Sequence, residues 1–139
     1  MSKAAVVYWS GTGNTAAMAE YVAEGAREVG AEVSLWTSAE FTADMLPDYD
    51  AVAFGCPSMG AEQLEETEFE PMFSACESEL KGRKIALFGS YGWGDGQWMR
   101  DWENACMTAG ASLVSDSVIC NGAPDDPQPC RDLGRALGR

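Results

Sequence analysis

The chain has 139 residues, of which 46% are hydrophobic and 22% are charged, a composition typical of a soluble globular domain with one buried core. Its 22 acids and 9 bases give a net charge of −13, which excludes nucleic acid and anionic membranes as partners because both would repel the protein. It contains no histidine, so a Ser-His-Asp triad, a Cys-His dyad and a histidine-ligated metal site are excluded.

Short apolar runs alternate with segments of helical periodicity along the chain. The apolar runs predict five strands, at 4–9, 32–37, 51–55, 84–90 and 112–119. The periodic segments predict helices at 15–28, 68–80, 98–109 and 128–137, with a short helix at 38–46 that Pro47 ends. This alternation predicts one α/β domain over 1–139: a doubly wound five-stranded parallel sheet, covered by helices on both faces as a three-layer sandwich.

Three loops follow predicted strands, at 10–15, 56–62 and 90–96, and all three are rich in Gly, Ser, Thr and aromatic residues. Ligands of open parallel sheets bind beyond the carboxyl ends of the strands. The sequence therefore predicts a ligand site where these three loops converge.

The first loop reads Ser10-Gly11-Thr12-Gly13-Asn14-Thr15. Its glycines let the backbone turn its N–H groups inward, its hydroxyls are donors, and the following helix adds its positive end, which together predict a phosphate monoester site. The loop is neither a Walker A sequence nor a dinucleotide fingerprint. It contains no Lys or Arg, which favours retention of a cofactor over phosphoryl transfer. The alternative is a Gly-Thr turn that only caps the helix.

The second and third loops each carry one large side chain suited to a flat ligand. Trp93 lies between two glycines, a setting that predicts an exposed platform, and the Met59 thioether packs well against an aromatic face. Together they predict a site for a planar heteroaromatic group, although each residue alone is also compatible with packing in the core. The other tryptophans are interpreted as packing residues, and 121–126 as a further loop near the same edge.

These loops resemble the three FMN loops of short-chain flavodoxins of anaerobic bacteria, the clostridial type. The resemblance rests on 10–15, on Met59-Gly60 followed by Glu62, and on 90–96, and it covers nearly the whole chain. It implies a flavodoxin-like sheet with strand order 2-1-3-4-5. It also implies a low-potential one-electron carrier that uses non-covalently bound FMN and no metal, and that is not an enzyme.

The resemblance also implies roles for individual residues. Met59 would cover the inner face of the flavin and Trp93 the outer face, Glu62 would accept the flavin N3–H, and the Gly60 carbonyl would turn toward N5 on one-electron reduction. The hydroxyls and amide of the first loop would hold the phosphate. The complete expected cofactor-binding set is Ser10, Gly11, Thr12, Gly13, Asn14, Thr15, Pro57, Ser58, Met59, Gly60, Ala61, Glu62, Ser90, Tyr91, Gly92, Trp93 and Gly94.

Two positions depart from the family pattern. Ala61 stands where relatives often have Asp, Ser, Asn or Gly, and a type II turn would give it a positive φ that alanine tolerates poorly. We hypothesise that Gly or Asn at this position would widen the separation of the two redox potentials. Pro57 replaces a serine found near the phosphate in some members and cannot donate a hydrogen bond.

Acids dominate the first half of the chain, with fifteen acids and one base, Arg27, between residues 4 and 80. Negative charge added to a desolvated ring beside such a surface is costly, which predicts a low potential for the second electron. The segment 62–70 is either a solvated helix edge or a face that attracts basic partners. The expected partners are basic-surfaced redox proteins, namely oxidoreductases that otherwise use ferredoxin, and the expected state is a monomer.

Five cysteines without a C-x-x-C pair argue against a disulfide framework or a zinc site and indicate a reduced cytoplasmic location. No run approaches the length of a membrane span, and the N-terminus lacks the layout of a signal peptide.

One enzyme alternative is an FMN-dependent NAD(P)H reductase, but two covered flavin faces leave no room for a nicotinamide. A low-molecular-weight phosphatase fails because the sixth residue after Cys56 is Glu62 instead of arginine. A response regulator fails because the first strand does not end in an acidic pocket.

Overall fold

The computed structural model describes residues 2–60 and 62–139, in which strands and helices alternate. The strands are β1 Lys3–Tyr8, β2 Glu32–Thr37, β3 Ala51–Gly55, β4 Lys84–Tyr91, β5 Ser112–Leu113 and β6 Val118–Asn121. The helices are α1 Asn14–Glu28, α2 Phe69–Glu77, α3 Gln97–Thr108 and α4 Gln128–Gly138, with a 3-10 helix at Ala43–Asp48.

All pairs of neighbouring strands are parallel, in the order β2-β1-β3-β4-β5, and β6 pairs with β4 beyond β5. The predicted doubly wound parallel sheet and its strand order are therefore confirmed. The order reverses between β1 and β3, so a crevice opens at the carboxyl ends of these two strands.

The fifth strand is the main correction to the predicted elements. The apolar run predicts one strand over 112–119, whereas the structure has two short segments that both pair with β4. The interruption coincides with the polar residues Ser115-Asp116-Ser117, and the Ser117 hydroxyl donates to the Glu103 carboxylate of α3 at 2.6 Å. Pairing with β4 resumes at Val118.

The short helix predicted at 38–46 is also wrong in position and type. Ser38 still bonds to the end of β1 through its N–H, and a 3-10 helix follows at Ala43–Asp48 with Pro47 inside it. The i→i+3 bonds of a short 3-10 turn avoid the clash with the i−4 carbonyl that excludes proline from α-helix interiors. The other elements lie within three residues of their predicted bounds.

Successive residues of the central strands face opposite sides of the sheet and enter two separate apolar clusters. In β1, Ala4 and Val6 pack with α1 and α4, whereas Ala5 and Val7 pack on the side of α2 and α3. Both faces of the sheet are therefore buried, as expected for parallel strands.

Helices α1 and α4 approach each other closely through glycine. A Cβ added to Gly134 would overlap the carbonyl oxygen of Val22, and one added to Gly25 would overlap the carbonyl oxygen of Arg131. The crossing therefore tolerates no side chain at either position. Among the described residues, no helix is both long and apolar enough to cross a membrane.

Candidate functional site

The three predicted loops meet at the carboxyl ends of the strands around one cavity of about 260 Å³. The predicted residues that line this cavity are Ser10, Gly11, Thr12, Asn14, Thr15, Pro57, Ser58, Met59, Ser90, Tyr91 and Gly92. The cavity is further lined by Trp9 and Gly122. The convergence expected from the strand ends is thus present in the structure.

The first loop leads into α1 through a left-handed glycine. Gly13 has φ 97° and is the N-cap of α1, which has no side-chain cap at this end. The Gly13 N–H donates to the Ser10 hydroxyl at 3.0 Å, which fixes the turn. The first N–H groups of a helix have no partner within the helix, so an uncapped N-terminus beside several hydroxyls suits a phosphate.

Thr15 and Ser90 link the first and third loops. Both residues are buried, and Thr15 Oγ1 lies 2.9 Å from Ser90 Oγ. The pair fixes the first turn of α1 against the end of β4 at the floor of the cavity.

The second loop is a closed turn. The Met59 N–H donates to the Gln63 carbonyl at 2.8 Å, and the Gln63 N–H donates back to the Met59 carbonyl at 2.9 Å. Gly60 within the turn has φ 52°, whereas a type II turn has φ near −60° at this second position. Ala61, for which a positive φ is expected in a type II turn, lies outside the described residues. Met59 is 37% exposed at the rim of the cavity.

A buried carboxylate holds the end of the second loop against α2. Glu65 is only 6% exposed and accepts hydrogen bonds from the Glu68 N–H at 2.7 Å, the Phe69 N–H at 3.0 Å, and both the N–H and the hydroxyl of Thr67. Burial alone would raise the pKa of Glu65, but these hydrogen bonds lower it to about 2. The sequence analysis counted Glu65 only within the acidic segment 62–70, as a solvated edge or a docking face, and its burial shows that this interpretation is wrong for Glu65.

Cys56 lies beneath the same segment and accepts a hydrogen bond from the Glu65 N–H at 3.4 Å. Burial raises the pKa of its thiol to about 12, so the thiol remains protonated and is not an activated nucleophile. All five cysteines are free thiols, and four of them, Cys56, Cys76, Cys106 and Cys130, are buried.

The third loop places its tryptophan outward. Trp93 is 62% exposed and does not line the cavity. Gly94 adopts φ 89° with the Glu62 carboxylate packed against it, and this carboxylate accepts a hydrogen bond from the Trp98 N–H at 3.3 Å. Glu62 therefore lies at the N-terminus of α3, where a negative charge is favourable. Five residues of the predicted cofactor-binding set that the structure describes do not line the cavity: Gly13, Gly60, Glu62, Trp93 and Gly94.

Two further residues line the cavity although the predicted cofactor-binding set does not include them. Trp9 packs against the core as predicted, and it also forms part of the cavity wall. Its position directly before Ser10, at the end of β1, is the signal that identifies it. Gly122 lines the cavity and donates its N–H to the Tyr91 carbonyl at 2.9 Å, so part of the 121–126 loop does reach this edge.

The donor set of this cavity fits a phosphorylated ligand with an apolar part. The first loop offers hydroxyls and an uncapped helix end for a phosphate, while Met59 and Tyr91 contribute apolar surface to the lining. No described residue lining the cavity is charged. A phosphate here would be held by neutral donors alone.

Comparison with known proteins gives a consistent result. Residues 6–134 match the family model described as Flavodoxin. A flavodoxin from Clostridium beijerinckii is 44% identical over 133 residues, which cover 95% of this chain and 96% of that protein. A flavodoxin from Megasphaera elsdenii is 40% identical over 134 residues, which cover 96% and 97% respectively.

The solution structure of two-electron reduced Megasphaera elsdenii flavodoxin matches this fold with a TM-score of 0.92. It is 40% identical in sequence, and the match covers 97% of this chain and 98% of that one.

Proposed function

The chain belongs to the flavodoxin family, and from that premise we propose how its loops hold the cofactor and meet its partners. It is an FMN-binding electron carrier and not an enzyme. Bound FMN supplies the one-electron chemistry, while the chain positions the flavin and sets its electrostatic surroundings. The observation that carries the proposed site is the convergence of three loops on one cavity beside the uncapped N-terminus of α1.

Ser10, Thr12, Asn14 and Thr15 hold the phosphate of FMN in this proposal. Three carry hydroxyls, all four line the cavity, and the α1 N-terminus contributes backbone N–H groups. Because the site is lined by neutral groups, affinity for the phosphate arises from hydrogen bonds and the helix end rather than from a salt bridge. The assignment accounts for why the loop is rich in donors yet lacks a cation.

Met59 and Trp93 enclose the flavin ring from opposite sides. Both are large apolar side chains left exposed, at 37% and 62% of their surface, so both are accessible to a ligand at the loop edge. Glu62, held at the N-terminus of α3 by the Trp98 N–H, is the proposed acceptor for the flavin N3–H. Gly60, already at a positive φ, provides the peptide whose carbonyl turns toward N5.

The acid-rich half of the chain makes the site a poor environment for added negative charge. Fifteen acids and a single base lie between residues 4 and 80. No cation lines the described part of the cavity to compensate. We therefore infer that the second electron is held at low potential.

The phosphate site is tested by comparing FMN with riboflavin, which lacks the phosphate. The apoprotein should bind FMN far more tightly than riboflavin, and Thr12→Val should weaken FMN binding while leaving riboflavin binding unchanged. Thr108→Val, at an exposed position at the end of α3, is the matched control and should change neither affinity. Equal loss of both affinities in Thr12→Val, measured by quenching of flavin fluorescence, would contradict the phosphate role.

The partners are proposed to be basic-surfaced redox proteins, such as oxidoreductases that otherwise use ferredoxin. Support comes from the net charge of −13 and from the acidic segment 62–70 next to the second loop. Electron transfer from the reduced protein to cytochrome c, used as a basic probe, should slow steeply with added NaCl. A rate that does not change with salt would reject the docking role of this face.

We further propose that the protein acts in the cytoplasm as a monomer folded as one domain over 1–139. Five free thiols suit a reducing compartment, and the high net charge opposes self-association. The Ser2 hydroxyl donates to the Gly138 carbonyl at 2.8 Å, which joins the two ends of the chain.

A further inference from the structure

We propose that the groove between α2 and α3 binds an apolar side chain of the redox partner, presented by a segment rich in Lys or Arg. This inference rests on the proposed function as an electron carrier and specifies where and how a partner is held. The groove has a volume of about 600 Å³ and is separate from the cavity formed by the three loops.

The floor of the groove is apolar and consists mainly of buried, packed side chains. It is formed by Leu64, Phe73, Trp98, Trp102 and Ala105. The Phe73 and Trp102 rings meet edge to face with centroids 5.5 Å apart, and both residues are buried. A preformed floor of this kind accepts a side chain such as Phe or Leu without reorganisation.

The Trp102 indole also has an unsatisfied donor. Its nitrogen is buried without a hydrogen-bond acceptor among the described residues. Buried donors are nearly always paired in folded proteins, so Trp102 brings one unsatisfied polar group to the residues that line the groove.

The rim of the groove is acidic. The described lining residues include no base and five acids, which are Glu62, Glu66, Glu70, Glu77 and Asp101. Their side-chain partners are neutral where they have any: the Ser74 hydroxyl donates to Glu70 at 2.7 Å, and the Gln97 amide donates to Asp101 at 2.8 Å. Glu62 is engaged by the Trp98 N–H, whereas the carboxylates of Glu66, Glu70, Glu77 and Asp101 remain available to pair with cations on a partner.

An apolar floor within an acidic rim selects one kind of occupant. A purely basic segment would leave the floor exposed to water, and a purely apolar one would leave five carboxylates without complementary charge. A segment that places one large apolar side chain between basic residues satisfies both requirements, as interfaces combine an anchor in a pocket with a charged rim.

The groove lies next to the proposed cofactor site. The Trp98 ring on its wall packs 5.5 Å from the Tyr91 ring, and Tyr91 lines the cavity of the three loops. Glu62 borders the groove and contacts the third loop at Gly94. An occupant of the groove therefore holds its partner beside the loop that carries Trp93.

The test uses the FMN-loaded protein and two synthetic lysine-rich peptides that differ only in a central Phe or Ala. At 0.3 M NaCl, where long-range attraction is screened, the Phe peptide should bind at least fivefold more tightly than the Ala peptide. Ala105→Leu fills the groove without changing the charge and should abolish this preference. Ala75→Leu is the matched control, since Ala75 is an exposed residue of α2 outside the groove, and it should retain the preference.

A second variant tests the rim. Asp101→Asn should weaken binding of both peptides at low salt, whereas Glu20→Gln, an exposed acid on α1 away from the groove, should have a smaller effect. If Ala105→Leu lowers the melting temperature markedly, Ser74→Leu fills the groove from its other wall.

Equal binding of the two peptides, or equal preference in Ala105→Leu and Ala75→Leu, would overturn the proposal. FMN affinity and the visible spectrum should be unchanged in Ala105→Leu and Ala75→Leu. A failure of the docking proposal is therefore distinguishable from a failure of the proposed cofactor site.

Discussion

Thr15 Oγ1 and Ser90 Oγ lie 2.9 Å apart in the buried floor of the candidate site, so one hydroxyl pair joins the start of α1 to the end of β4. These elements carry the first and third loops. The pair therefore fixes the distance between these two loops. The sequence predicts that both loops lie at the same edge of the sheet, but it does not predict how far apart they are.

Thr15→Val should destabilise the apoprotein by about 1–2 kcal/mol, because it leaves the buried Ser90 hydroxyl without its partner. FMN affinity should also fall, since the first loop loses both a donor and its attachment. Urea unfolding and FMN titration measure the two effects. Thr15→Ser keeps the hydroxyl and should recover most of the FMN affinity. If Thr15→Val is as stable as the wild type, the hydroxyl pair does not have the structural role assigned to it.

Glu65→Gln should lower the free energy of unfolding at pH 7 by about 2 kcal/mol, because the uncharged amide replaces a carboxylate that accepts several backbone N–H groups at the start of α2. The pKa of Glu65 is lowered to about 2 in the fold from an ordinary value of 4.5, so its stabilisation is present above pH 4.5 and is lost as the pH falls toward 2.

Urea unfolding of the wild type and Glu65→Gln between pH 7 and pH 2.5 checks this assignment. The difference between the two proteins should narrow below pH 4.5. A difference that is constant over this range would show that the Glu65 charge does not carry the effect.

Gly134→Ala should destabilise the protein by at least about 1 kcal/mol, even though alanine favours a helix over glycine by roughly 1 kcal/mol. The added methyl would overlap the carbonyl oxygen of Val22, so α1 and α4 must move apart. Thermal unfolding of the apoprotein is the measurement. Gly92→Ala, where the new methyl meets nothing within 4 Å, is the control and should lose much less stability.

Trp93→Ala should weaken FMN binding roughly tenfold, about 1.4 kcal/mol, through loss of an aromatic face against the flavin. Apoprotein stability should hardly change, because Trp93 is 62% exposed. Met107→Ala, at another exposed apolar residue at 54%, controls for the loss of surface apolar area and should leave FMN binding unchanged. Unaltered FMN affinity in Trp93→Ala would remove this residue from the site.

The elements that the sequence predicts well are those with strong local signals. Apolar runs mark β1, β3 and β4, and the Gly-rich loops that follow β1 and β4 mark the site, because a parallel sheet brings its carboxyl ends together. The polar residues Ser115-Asp116-Ser117 do interrupt the apolar run at 112–119, but the hydrogen bond from Ser117 to Glu103 on α3 is not apparent in the sequence. Contacts between residues distant in sequence leave no local signal.

Contacts between distant residues also explain which parts of the candidate site the sequence does not predict. Local composition identified the donors of the first loop, whereas the anchoring of the second loop by Glu65 depends on where the chain enters α2. The composition of 62–70 marks this segment as acidic. That it borders an apolar groove follows only from the packing of α2 beside α3.

No charged side chain belongs to the described lining of the cavity, so the cofactor and the redox partner are bound by different kinds of interaction. Hydrogen bonds from sheltered neutral groups respond weakly to ionic strength, whereas attraction between acidic and basic surfaces is screened within about 10 Å at 0.1 M salt. Concentrated salt should therefore detach the carrier from its redox partners while the flavin stays in place. Purification on an anion exchanger, where high salt elutes an acidic protein, should yield it still yellow.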